Sequence, residues 1–187
     1  MSFDLESDKK SYNIDFNKKN KIIQFTGEIS CESIHELKSY FLDIDNLKKN
    51  EERKITLMIQ SDGGCLFSAF GMYDWLCEYK ELYDVKIETR GHGLIASAAT
   101  VIFMSGDKRF FGKNSYMLIH SMISVQDEPM PYEVAKQNFR NDKKIMNQLV
   151  EFYRSHTKIP KKDLDEFMKK DVFLTYDDVL RYNIVSK

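Results

Sequence analysis

Cysteine, an excess of either charge and long apolar runs are all scarce in this 187-residue chain. The three cysteines are Cys31, Cys65 and Cys77, and no two have C-x-x-C spacing. An odd number of widely spaced thiols argues against a disulfide framework and against a structural zinc site. The expectation is reduced, buried thiols in a cytosolic protein. Lys and Arg number 28 against 29 Asp and Glu, for a net charge of −1. That balance provides neither a basic field for nucleic acid nor an acidic tail. The lysine pairs Lys18-Lys19, Lys48-Lys49, Lys143-Lys144 and Lys161-Lys162 are dispersed among acids and read as solvated faces. The best apolar run, Ile95 to Met104, has about half the length a membrane-spanning helix needs. The first eight residues are polar and acidic, unlike a signal peptide. A cytoplasmic protein follows as the expectation.

The length fits one domain with a substantial core. Residues 1–20 are rich in Asp, Lys and Asn and read as a flexible N-terminal arm, with a short strand at Tyr12-Asn13-Ile14. Lys21 to Gly27 is a β-rich run stopped by glycine. Ser30 is placed to cap a helix in which Ile34, Leu37, Phe41 and Ile44 recur at helical spacing. Lys54 to Ser61 is apolar on both faces, as in a covered parallel strand, and Asp62-Gly63-Gly64 reads as a sharp turn. Ala69, Met72, Tyr73 and Leu76 mark the next helix. Val85 to Arg90 alternates as a third strand, and Gly91 to Gly93 turns the chain into a small-residue helix at Ser97. Arg109-Phe110-Phe111 and Tyr116 to Ile119 read as strands. After an irregular segment from Met122 to Pro131, the longest helical stretch runs from Tyr132 to about His156, like an arm projecting from the body. Pro160 opens a short helix, and Thr175 is a plausible cap for a last one. Repeated strand–helix order predicts an α/β core. One domain over 21–187 carries the long helix as a handle, about 122–156.

Three places carry chemistry. Ser97 follows Gly91 and Gly93 and lies among Ala96, Ala98 and Ala99, which leave room for a substrate backbone. A serine hydroxyl becomes a nucleophile when a base takes its proton and donors hold the oxyanion. The Ala98 N–H, at a helix start, is one such donor. His120 closes the apolar strand Met117-Leu118-Ile119 and is a suitable general base. His35, His92 and His156 have poorer contexts. Gly63 follows a buried strand, and its N–H is a second candidate donor if the strand ends converge on one sheet edge. The acid that orients the histidine remains open among Asp163, Asp165, Asp171, Asp177 and Asp178.

Eight segments together resemble the proteolytic subunit of the Clp protease, ClpP. Lys21 to Ile29 is similar to the family's first core strand. Met58-Ile59-Gln60-Ser61-Asp62-Gly63-Gly64 resembles its glycine turn, and Tyr73-Asp74 a pair on the next helix. Gly93 to Gly106 resembles its serine box. Lys108-Arg109-Phe110 and Met117-Leu118-Ile119-His120 resemble the two strands that follow. Met146-Asn147-Gln148-Leu149 resembles the long helix and Asp171-Val172-Phe173-Leu174-Thr175 the closing acid segment. The resemblance implies a fold of repeated β-β-α units, shared with the crotonases, and a serine endopeptidase working through an acyl-enzyme. It implies Ser97 as nucleophile, His120 as base, Asp171 as orienting acid, and the Gly63 and Ala98 amides at the oxyanion. It further implies two stacked heptameric rings, contact between rings through the long helix, no cofactor or metal in this subunit, and an ATP-driven AAA+ unfoldase that feeds unfolded chains past the N-terminal segments. The chain departs from the family pattern at Asp62, at Ala98-Ala99, at Ser121-Met122, and in a glycine-free stretch from Ser124 to Pro131. The alternatives are a crotonase-like acyl-CoA enzyme and a noncatalytic scaffold subunit; an intact Ser97, His120 and Asp171 set argues against both.

Overall fold

The computed structural model describes residues 10–44, 53–123 and 129–186. The charged connection expected at 46–53 and the glycine-free stretch 124–131 fall largely outside these, as do residues 1–9. The described elements are β1 (Tyr12–Asn17), β2 (Ile22–Ile29), α1 (Cys31–Asp43), β3 (Lys54–Gly64), α2 (Leu66–Tyr83), β4 (Lys86–Ala96) and α3 (Ala98–Phe103). They continue with β5 (Lys108–Phe111), β6 (Tyr116–Ile119), α4 (Tyr132–His156), α5 (Lys161–Phe167), β7 (Val172–Leu174) and α6 (Tyr176–Arg181).

The strands form one sheet in the order β1-β2-β3-β4-β6-β7, with β5 also paired to β4. The interior ladder is parallel from β2 through β3 and β4 to β6, and β1 and β7 run antiparallel on its edges. The strand expected to be covered on both faces is covered on one: along β3, Ile55, Leu57 and Ile59 are buried, while Lys54 and Gln60 on the other face are exposed and Thr56 and Met58 half-buried. Ile23, Phe25, Ile55, Leu57, Ile59 and Ile87 are buried from the sheet, and Leu37, Phe41, Met72, Leu76 and Phe103 from the helices against it. This is the α/β architecture expected from the strand–helix order.

Two expected turns are instead parts of strands. Asp62-Gly63-Gly64 belongs to β3, where Gly63 and Gly64 pair with Glu28 and Ile29 after a register shift. Gly91 to Gly93 belongs to β4, which divides its partners there: Glu88–Gly91 pairs with β5 and Leu94–Ala96 with β6. Glycine redirects an extended chain without ending its ladder. At Gly93 the φ of +61° requires that freedom, and at Gly91 an added Cβ would lie 2.8 Å from the Phe111 ring. A kink in one continuous strand and a turn between two elements have the same glycine signature, so the sequence did not separate them.

Local signals at the helix ends held. Ser30 caps α1, and Ser33 returns a hydrogen bond in a reciprocal box. Thr175 caps α6 in the same way with Asp178. The strand expected at 12–14 is longer, reaching Asn17, so the stretch read as an arm contains a paired edge strand. In α4 the buried residues are Leu149 and Tyr153, near its C-terminal end. Tyr132, Val134 and Phe139 at the other end are exposed. Tyr73 of α2 fixes the docked end: its hydroxyl is 2.6 Å from His156 Nε2, and its ring meets Phe152 edge-on. Among the described residues no helix is long and apolar enough to cross a membrane. The thiols are not buried as expected: Cys31 and Cys65 are exposed and Cys77 is half-buried.

Candidate active site

Three neighbouring strands deliver their C-terminal ends to one place. β3 ends at Gly64, β4 leads directly into Ser97, and β6 into His120. In open parallel sheets this is the edge where ligands bind. The edge opens into a cleft of about 440 Å³ that Ser97, Ala98 and His120 line together with Gly64, Cys65 and Asp62. Its other walls are apolar, from Leu66, Phe67, Met122, Ile123, Leu149 and Tyr153.

Ser97 is the junction between β4 and α3, with φ 54° and ψ −127°. A positive φ on a residue with a Cβ is strained backbone, held in place only by its surroundings. Here Ser97 N–H donates to Leu118 O at 2.9 Å, which ties the junction to β6. Close packing completes the constraint. A Cβ placed on Gly63, whose φ is +108°, would lie 2.7 Å from Ser97 Cβ and 2.9 Å from Ala96 O. Strand, sharp elbow and helix together push the serine side chain outward at the sheet's edge.

His120 and Asp171 are brought together by β-sheet register. β6 and β7 are antiparallel with Ile119 opposite Val172, so the next residues outward face each other. His120 Nδ1 and Asp171 Oδ1 are 3.7 Å apart. That is ion-pair range and longer than a formed hydrogen bond. Of the five acids left open by sequence, Asp171 is the one in ion-pair range of His120 among the described residues. Asp163 accepts from Tyr182 Oη, and Asp178 is committed to the α6 cap. No hydrogen bond joins Ser97 to His120 among the described residues, although both face the same cleft. In unliganded sites such contacts are often long and close on substrate.

The two amides expected at the oxyanion differ. Ala98 lines the cleft as the first residue of α3, where an N–H has no intrahelical acceptor. Gly63 N–H donates to the buried Ser61 hydroxyl at 3.1 Å, and it is Gly64 that lines the cleft. Sequence reading singled out the first glycine of the pair, and the spacing held no signal to choose between them. It also passed over Thr100 and Tyr153. Tyr153 is buried against Thr100, their hydroxyls 2.6 Å apart, and burial pushes its pKa up to about 12. Cys65, at the start of α2, has its thiol pKa lowered, chiefly by the Ser68 side chain.

Fold and cleft thus define a parallel-sheet α/β protein that presents a serine at a strand-to-helix elbow, beside an imidazole with a carboxylate behind it. The family model described as Clp protease matches residues 6–187, and the chain belongs to that family. Its relatives include the "ATP-dependent Clp protease proteolytic subunit" of Cyanophora paradoxa, 26% identical over 170 residues covering 89% of this chain and 83% of that one. The protein of the same name from Deinococcus radiodurans is 24% identical over 172 residues, covering 90% of this chain and 80% of that one.

Proposed function

We propose that this chain is the proteolytic subunit of an ATP-dependent Clp protease and a serine endopeptidase of unfolded polypeptides. Ser97 Oγ gives its proton to His120 and attacks the carbonyl carbon of the scissile peptide. Asp171 orients the imidazole and stabilises the imidazolium. Ala98 N–H and an amide of the Gly63-Gly64 pair hold the oxyanion; Gly64 is favoured, since Gly63 N–H is engaged by Ser61. The C–N bond breaks as His120 returns the proton to the leaving amine. Water then hydrolyses the acyl-enzyme by the same base. The apolar walls of the cleft favour an apolar side chain beside the cleaved bond.

The assembly belongs to the same proposal. Two stacked heptameric rings enclose the sites, α4 makes the contact between rings, and a AAA+ Clp ATPase uses ATP to unfold and feed substrate. The cytoplasm is the proposed compartment. Chamber entry, rather than the small cleft, selects unfolded chains.

The observation that carries this reading is the convergence of Ser97, His120 and Asp171 at one sheet edge in a chain of this family. The test is fluorophosphonate labelling of the size-fractionated particle. Wild type is labelled at Ser97, and Ser97→Ala is not. Persistent labelling at another residue moves the nucleophile. An assembled particle that takes no label is a scaffold instead.

A further inference from the structure

One hydrogen-bonded chain runs from the long helix to the serine elbow. Tyr153 belongs to α4, is 1% exposed, and has its hydroxyl 2.6 Å from Thr100 Oγ1. Thr100 Oγ1 in turn donates to Ser97 O at 2.6 Å. A carbonyl oxygen only accepts, so the single threonine proton lies on the Ser97 side, and Tyr153 must donate to Thr100. The direction is therefore Tyr153 to Thr100 to the Ser97 carbonyl. Each bond polarises the next, and both hydroxyls are buried.

The Ser97 carbonyl belongs to the same peptide unit as the Ala98 N–H. That unit is trans, since the described chain contains no cis peptide. In a planar trans peptide C=O and N–H point in opposite directions. Fixing the carbonyl oxygen inward, on Thr100, therefore fixes the Ala98 N–H outward, toward the cleft. The need for such a fixture is local. Ser97 has a strained φ of 54°, and α3 has only six residues, too few to hold its first turn rigidly.

We infer that Tyr153, acting through Thr100, is a positioning residue that sets the plane of the Ser97–Ala98 peptide and so aims the Ala98 amide at the reaction's oxyanion. This rests on the serine-peptidase reading above. Its consequence is that the docking of α4 and the geometry of the oxyanion donor are mechanically joined. A helix whose far end is exposed reports its seating to the elbow through one phenol.

The experiment uses the full chain in its assembled form with a fluorogenic apolar peptide, and rates are normalised to fluorophosphonate-labelled Ser97. Removing a whole oxyanion donor costs about 10²–10³-fold in kcat, so misaiming one is expected to cost about 10-fold. Tyr153→Phe and Thr100→Val each lower kcat by about that factor with KM within about twofold, the pattern of an interaction made in the transition state. The double variant is no slower than Thr100→Val alone, because both act through one chain. Thr100→Ser, which keeps the hydroxyl, restores the rate. The inference is overturned if Tyr153→Phe keeps the wild-type kcat per labelled site. It is also overturned if the two losses multiply, or if Thr100→Ser is as slow as Thr100→Val. If wild type itself takes no label at Ser97, it is the peptidase reading that fails.

Discussion

His120 Nδ1 and Asp171 Oδ1 face each other at 3.7 Å from opposite environments: the imidazole side chain is 18% exposed and the carboxylate 74%. Water shares the carboxylate's work of stabilising a cation on the ring, and an exposed ion pair is worth little. Under the proposed mechanism the two residues therefore differ in weight. His120→Ala removes the base and is expected to lower kcat by about 10⁴-fold or more. Asp171→Asn is expected to cost about 10²-fold, since the ring keeps its place at the end of β6. Steady-state kinetics per labelled site measures both. A near-normal rate for Asp171→Asn would move the acid elsewhere.

Gly63 and Gly71 predict opposite outcomes for the same substitution. Gly63 has φ +108°, and an added methyl would meet Ser97 Cβ at 2.7 Å, backbone on a second side, and no flexible neighbour. Gly63→Ala is expected to displace the elbow and abolish labelling of Ser97. Gly71 lies inside α2, exposed, with nothing within 4 Å of an added Cβ. Gly71→Ala is expected to stabilise the fold by about 0.4–1 kcal/mol through a less flexible unfolded chain. Thermal unfolding of the two variants beside wild type checks the contrast, and a lowered melting temperature for Gly71→Ala would count against it.

The caps at Ser30 and Thr175 form reciprocal boxes with Ser33 and Asp178. Replacing either cap by alanine leaves helix N–H groups unmet and is expected to cost about 1 kcal/mol. The two positions differ in reach. Thr175 directly follows β7, whose pairing with β6 places Asp171, so Thr175→Ala should also slow the peptidase reaction. Ser30→Ala should lower stability alone. Melting temperature and kcat measured together on both variants distinguish them, and equal kcat values would remove the link from α6 to Asp171.

What the sequence disclosed tracks the range of the interactions involved. Ser30 and Thr175 were legible because a cap bonds within three residues, and α4 because its amphipathic period persists over 25 residues. The elbow at Ser97 and the strand end at His120 were legible as local patterns, small residues in one case and an apolar run in the other. The roles of Gly63 and Gly64 were not, because which amide faces a cleft depends on Ser61 and on the register with β2. The choice of Asp171 from composition alone failed for the same reason. It depends on β6 lying beside β7, more than fifty residues apart, and it came only from the family resemblance. Nothing local marks Tyr153, since its hydroxyl finds Thr100 53 positions away.

Glu36, on α1 beside the edge strand β1, supplies the last prediction. Its carboxylate accepts from Lys10 Nζ at 2.7 Å and from Tyr12 Oη at 2.9 Å, holding β1 onto α1. The Lys10 bond foremost, then the Tyr12 bond, keeps the carboxyl below its ordinary value of 4.5. A carboxyl whose folded pKa lies below its unfolded one stabilises the fold when ionised. That contribution is complete above the unfolded value and disappears as the pH falls through the folded one. Glu36→Gln should therefore lower the melting temperature by a small, constant amount at neutral pH, since Lys10 is 61% exposed. The difference from wild type should shrink once the pH drops below 4.5 and vanish at still lower pH. Hydrogen exchange at Tyr12 to Asn17 should follow the same course, faster in Glu36→Gln at neutral pH and equal in acid. A gap that persists unchanged into strong acid would show that the side chain's packing, rather than its charge, secures the first strand.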